Sequence, residues 1–175
     1  IYRPASVTPE GAASLLELPV QQAEAQDASG KPVAIKQGLR ESLLQRFSSP
    51  KGDAPLTLVV NHLKSKGSAC FEDYPDYATA DPLDGQGHCN ALRVSAAKVL
   101  GERLKEVSGD LLLIGDLNAY GMEDPIRVLT DYDPAAQPRQ IMSASFTTLA
   151  GQPFEESGSA LGKGYGLVNL NTRFH

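Results

Sequence analysis

Tryptophan is absent from this sequence, and aromatic residues make up only 6% of it. No apolar run approaches the roughly 18 residues that a membrane-spanning helix needs. The longest near the polar clusters described below is LLLI at 111–114. That excludes a helical membrane protein. No basic-then-apolar leader is visible, and the chain starts at Ile1 rather than methionine, so we expect further sequence upstream. Positive charge is not in excess. The net charge is −5 and the isoelectric point about 5.2, which argues against a non-specific nucleic-acid coat protein. It does not argue against an enzyme that meets phosphate through a divalent cation, because the ion inverts the local electrostatics. Cysteine is limited to Cys70 and Cys89, with no CxxC pair and only His88 beside them, so a zinc centre is disfavoured. Two cysteines flanking a loop fit one disulfide, with two free thiols as the alternative. Closing a loop of about 20 residues contributes roughly 3 kcal/mol on the chain-entropy view, and such a bond belongs to an oxidising compartment, extracellular or periplasmic. No internal repeat is present.

What remains is an ordinary globular composition, 41% hydrophobic and 21% charged, in 175 residues, a length that suits one domain. Sixteen glycines and twelve prolines predict many loops. Residues 1–3 look like the end of a strand stopped by Pro4. Segment 7–38 is mixed, with turns at 8–11 and 27–31. Residues 40–47 (RESLLQRF) read as a strand or a short helix, and 48–54 as a hairpin-type connection. Residues 56–63 (LTLVVNHL) are apolar on both faces, as in a strand inside a covered sheet. Asn61 and His62 end that strand on opposite faces. A polar loop over 64–89 follows, long enough to be functional, disordered or stapled. Asn90 is a possible cap for an amphipathic helix over 91–107, where apolar residues recur at spacings of three and four. Gly109 ends it. A second buried strand, 111–114, closes at Gly115-Asp116, and Pro125 opens a helix over 124–131. The tail, 133–175, is loop-rich. Strand, loop, helix, strand is a crossover unit, so the two strands are expected in one sheet, parallel, with His62 and Asp116 at the same edge.

Two clusters carry chemistry: Asn61-His62-Leu63-Lys64-Ser65 and Gly115-Asp116-Leu117-Asn118-Ala119-Tyr120. In extended geometry Asp116 and Asn118 point to the same side. A carboxylate there accepts a proton from water or binds a hard cation, and the amide donates to a phosphate oxygen. The plainer reading is a turn, since Asp and Asn satisfy free backbone groups at strand ends. His62 is either a proton shuttle and phosphate donor or a hydrogen-bonded core histidine.

Taken together, NHLKSKGSAC (61–70), DGQGHCNALRVSAA (84–97) and LLLIGDLNAYGMEDPI (111–126) resemble the endonuclease/exonuclease/phosphatase superfamily. That superfamily includes pancreatic-type deoxyribonucleases, abasic-site endonucleases and bacterial sphingomyelinases. With IYRPASVTPEG (1–11), the resemblance is closest to its bacterial extracellular nucleases. It implies a four-layer α/β sandwich that cleaves phosphodiesters in DNA, with RNA as a further substrate, using magnesium or manganese, with calcium also open. By position it implies that Asp116 holds the metal or activates the attacking water, that Asn118 contacts the scissile phosphate, and that His62 stabilises it. Asn61 adjoins them. Arg93, on the helix after the loop, is a candidate substrate contact or a solvated helix charge.

The sequence departs from that pattern in two places. The family's metal-binding glutamate from an early strand has no counterpart after Ile1. Its late Asp-His pair is also missing: no such dipeptide occurs, and His175 follows Phe174. We therefore read 1–175 as a single incomplete domain, expected to be inactive or nearly so by itself, since members of a catalytic set act together. Between the cysteines, Asp81 and Asp84 suggest either a calcium-binding loop or a solvated turn. Two other functions suit the same residues: hydrolysis of lipid or sugar phosphates, and a binding module that has lost catalysis. The polar character of 64–89 speaks against a membrane-touching loop.

Overall fold

The computed structural model describes residues 2–77, 84–136 and 139–174. Among the described residues, two sheets and three α-helices make a mixed α/β fold. In the first sheet β1 (Thr8–Pro9) and β2 (Ser14–Leu16) pair antiparallel with β5 (Ser42–Ser48). Strand β5 pairs antiparallel with β6 (Leu56–His62), and β6 runs parallel to β7 (Asp110–Asp116). In the second sheet β3 (Val20–Gln26) lies between β4 (Pro32–Gln37) and β8 (Thr147–Leu149), and β9 (Gln152–Pro153) adds to β8. Helix α1 (Asn90–Leu104) makes the crossover from β6 to β7, α2 (Asp124–Leu129) follows, and α3 (Leu170–Phe174) ends the described chain.

The parallel β6–β7 pair expected from the crossover pattern is present. Its register sets Val60 against Ile114, Asn61 against Gly115 and His62 against Asp116. Glycine at 115 is dictated by that pairing. Its φ is +120°, and a Cβ there would stand 2.0 Å from the Asn61 carbonyl oxygen. Within residues 40–47 the chain from Ser42 onward is strand, because β5 finds partners on both sides. The turn at 27–31 is the bend of the β3–β4 hairpin, with Asp27 Oδ1 accepting from the Ser29 and Lys31 amides.

Several expectations are corrected. Tyr2 and Arg3 are not in a strand, and Thr8–Pro9, read as a turn, is a short outer strand. Proline is tolerated there because one side of an outer strand needs no donor. Asn90 does not cap α1. It is the first helical residue, Cys89 is the N-cap, and Glu72 Oε1 accepts from the Leu92 amide instead. Helix α1 is not amphipathic: all but three of its residues are buried. One side packs on Val59, Leu63 and Leu113, and the chain beyond α2 covers the other. There Ser95 Oγ accepts from the Ala144 amide at 2.9 Å. The Tyr165 ring also lies so close that a Cβ on Gly101 would meet it at 2.1 Å.

Strands β6 and β7 are not covered on both faces. Toward α1 they bury Thr57, Val59 and Asn61. On the opposite face the register row Leu43, Val60 and Ile114 stays open, at 42%, 38% and 40% exposure.

Candidate functional site

The site is built at the edge where β6 and β7 end. Pleating turns Asn61 inward and His62 outward. Asn61 is buried, its Oδ1 accepts from Ser42 Oγ at 2.6 Å, and its Nδ2 donates to the carbonyls of Val59 and Ile114, both at 3.2 Å. The Asn61 side chain joins three strands on the face opposite His62, and its amide group bonds to protein carbonyls.

His62 and Asp116 face each other on the open side, with Nε2 3.9 Å from Oδ2 and side chains 47% and 63% exposed. Arg40 Nη1 donates to His62 Nδ1. A guanidinium only donates, so Nδ1 is the acceptor and the ring proton sits on Nε2, toward Asp116. Arg40 had no sequence signal; it stands 22 residues before His62 and reaches it only because β5 and β6 are neighbours.

Asn118 is not in the extended geometry that the i, i+2 spacing suggests. Its φ is +46°, its amide donates to Asp116 Oδ1 at 2.9 Å, and its Nδ2 donates to the Leu63 carbonyl at 3.0 Å. The turn and the site therefore coexist: the turn spends one Asp116 oxygen on the backbone and leaves Oδ2 toward His62. Asp116 and Asn118 line one pocket of about 460 Å³ with Lys66, Gly115, Tyr120 and Asn169. Lys66, Tyr120 and Asn169 did not figure among the expected site residues, although Lys66 follows the first polar cluster and Tyr120 ends the second.

Behind the site, the long loop is stapled. Cys70 and Cys89 form the expected disulfide, with Cα atoms 5.0 Å apart. Asp73 Oδ2 accepts from both cysteine amides, at 2.7 and 2.8 Å. Arg93 is fully buried, so it is not a solvated helix charge. Its Nη1 donates to the carbonyls of Lys64 and His88, at 3.1 and 2.7 Å, and its Nη2 to that of Gln86 at 3.0 Å. Burial pulls its pKa below the ordinary guanidinium value, opposed by the Glu123, Asp73 and Glu72 carboxylates. Arg93 thus ties the exit of β6 to the end of the loop. The half-buried Glu72 carboxyl is pushed upward by desolvation, against the bond from Gln21.

For a cation, Asp116 Oδ2 is the carboxylate oxygen of the His62–Asp116 pair that the turn does not occupy. Among the described residues the one cluster of three or more potential ligands is Cys70, Asp73 and Cys89, and its sulfurs are joined to each other. Of the suggested calcium loop, Asp81 lies outside the described residues. Asp84 Oδ2 faces Arg139 Nη2 at 3.7 Å, and that guanidinium also bonds both oxygens of Asp124.

No family model, curated protein or solved structure matches the chain. Among the described residues no helix is long and apolar enough to cross a membrane.

Proposed function

We propose that this chain is part of a secreted, metal-dependent phosphodiesterase that hydrolyses DNA, with RNA as a further substrate, on the endonuclease/exonuclease/phosphatase plan. The observation that carries the reading is the facing of His62 and Asp116 across a parallel strand pair, beside a pocket lined by Asp116 and Asn118. Hydrolysis of a phosphodiester needs a proton acceptor for water and donors aimed at developing negative charge. Asp116 Oδ2 serves either as that acceptor or as a ligand to the ion that activates the water, and the Nε2–H of His62 serves as a donor to a phosphoryl oxygen. Arg40 holds the His62 ring in that tautomer. Asn118 acts as a positioning residue, because the hydrogen bonds from its Nδ2 to the Leu63 carbonyl and from its backbone N–H to Asp116 fix the turn that presents Asp116.

Magnesium commonly binds through one or two carboxylates, with waters and substrate phosphate filling the rest of its shell. Asp116 fits the role of one such carboxylate, and a bound ion would neutralise phosphoryl charge. A single carboxylate holds such an ion weakly, so the 175-residue chain by itself is expected to be inactive or nearly so. The open row Leu43, Val60 and Ile114 supports the sandwich reading, since sheets stack about 10 Å apart through such apolar faces. The disulfide supports an oxidising compartment.

Nicking of supercoiled plasmid with added magnesium or manganese tests this, measured on the longest native polypeptide that carries the sequence. The expected result is metal-dependent nicking that Asp116→Ala abolishes and His62→Ala lowers by at least about a hundredfold. Undiminished nicking by Asp116→Ala would falsify the assignment.

A further inference from the structure

The pocket beside Asp116 contains more than phosphate chemistry requires. Tyr120, four residues beyond Asp116, is 77% exposed, as is Met122. An aromatic ring that open is not a core residue, yet it is held firmly. The Lys66 ammonium stands over it, 4.5 Å from the ring centroid. Lys66 is fixed in turn by Glu123, with Nζ 2.5 Å from Oε1. Glu123 is buried, its Oε2 accepts from the Tyr120 amide at 3.2 Å, and its own amide donates to the Tyr120 carbonyl at 2.9 Å. One buried carboxylate therefore holds both the cation and the Tyr120 backbone, and the Tyr120 side chain stays largely open.

A preset ring next to a cation, in a pocket of about 460 Å³ shared with Asp116 and Asn118, suits a flat group carried on a phosphate chain. We propose that Tyr120 and Lys66, locked by Glu123, seat one unstacked nucleotide beside the phosphate at Asp116. Its base stacks on Tyr120, and a backbone phosphate meets Lys66. A base inside a duplex has no free face to offer, so the preferred substrate is single-stranded nucleic acid. This deepens the phosphodiesterase reading and rests on it.

Binding, rather than turnover, tests the seat, because it needs only this chain. Two labelled tetramers are titrated by fluorescence anisotropy at low salt: tetrathymidylate, and an abasic sugar-phosphate tetramer of equal charge. Tetrathymidylate is expected to bind about tenfold tighter, which is one stacked base. Tyr120→Ala should bring the two to parity, and Tyr120→Phe should restore the difference. Lys66→Gln should weaken both and flatten their salt dependence. An exposed ring can be removed without unfolding the chain, and a matched thermal melt checks this. Equal binding of both tetramers to the native chain overturns the stacking seat and leaves the phosphate site standing. Binding of neither tetramer overturns the seat together with the nucleic-acid reading. Tight binding to phosphatidylglycerol vesicles that Tyr120→Ala abolishes overturns both in favour of a lipid phosphate.

Discussion

Arg93 shows how a residue's role depends on what the chain places around it. On sequence it is one charge on a helix, and in the structure it is the fastener of the loop behind the site. Its fork reaches three carbonyls on two segments, which a single ammonium cannot do. Arg93→Lys is therefore expected to lower stability by about 2–3 kcal/mol in urea unfolding, the cost of leaving buried acceptors unpaired. An unchanged midpoint would show that water replaces the fork. Residues of this kind were not legible in advance, because burial is set by distant segments. The exposed pair was legible: a strand ending in His62 and another ending in Asp116 needed only the crossover rule to bring them together. Asn118 was half legible. Its identity pointed to the cluster, while its left-handed backbone and its bonds to Asp116 and the Leu63 carbonyl did not follow from the i, i+2 spacing.

At the scale of elements, β6, α1 and β7 were readable because each is apolar, unbroken and bounded by turn residues. Strands β3 and β4 were not. The sequence of β3, VQQAEAQ, has little apolar alternation, and one of its two partner strands is β8, more than 120 residues away. The solvated face expected for α1 failed for the same reason, since the covering segment comes from beyond α2. Two elements can be tested directly. Gly115→Ala places a Cβ against the Asn61 carbonyl at a positive φ, and is expected to cost about 1–3 kcal/mol. Chemical denaturation measures that loss, and His62 NMR shifts report whether the site edge moves with it. Replacing Cys70 and Cys89 together with serine is expected to remove roughly 3 kcal/mol, read as a lower melting temperature. A melting temperature equal to the native one would mean that Asp73 and Arg93 hold the loop without the disulfide.

At the scale of the whole molecule, acid stability should depend on carboxylates of opposite tendency. Glu102 is held down to about 2 by hydrogen bonds from Lys98 and then from the Tyr165 hydroxyl. A carboxylate whose pKa falls on folding stabilises the fold fully above its ordinary value of 4.5. That contribution is lost as pH drops toward about 2. Glu72, raised by burial, has the opposite sign: its contribution is present below 4.5 and is lost as pH rises through its folded value. Melting curves of Glu102→Gln should therefore lie below those of the native chain at neutral pH and converge with them across that acid window. A gap that stayed constant down to pH 2 would remove Glu102 from the account.

The uncovered row Leu43, Val60 and Ile114 also governs how copies of the chain behave together. At neutral pH the charge of −5 keeps molecules apart. Near the isoelectric point of about 5.2 that repulsion vanishes while the apolar patch remains. Colloidal stability should then fail before folding does. Turbidity should peak near that pH, clear on return to neutral, and fade when Val60 is replaced by threonine.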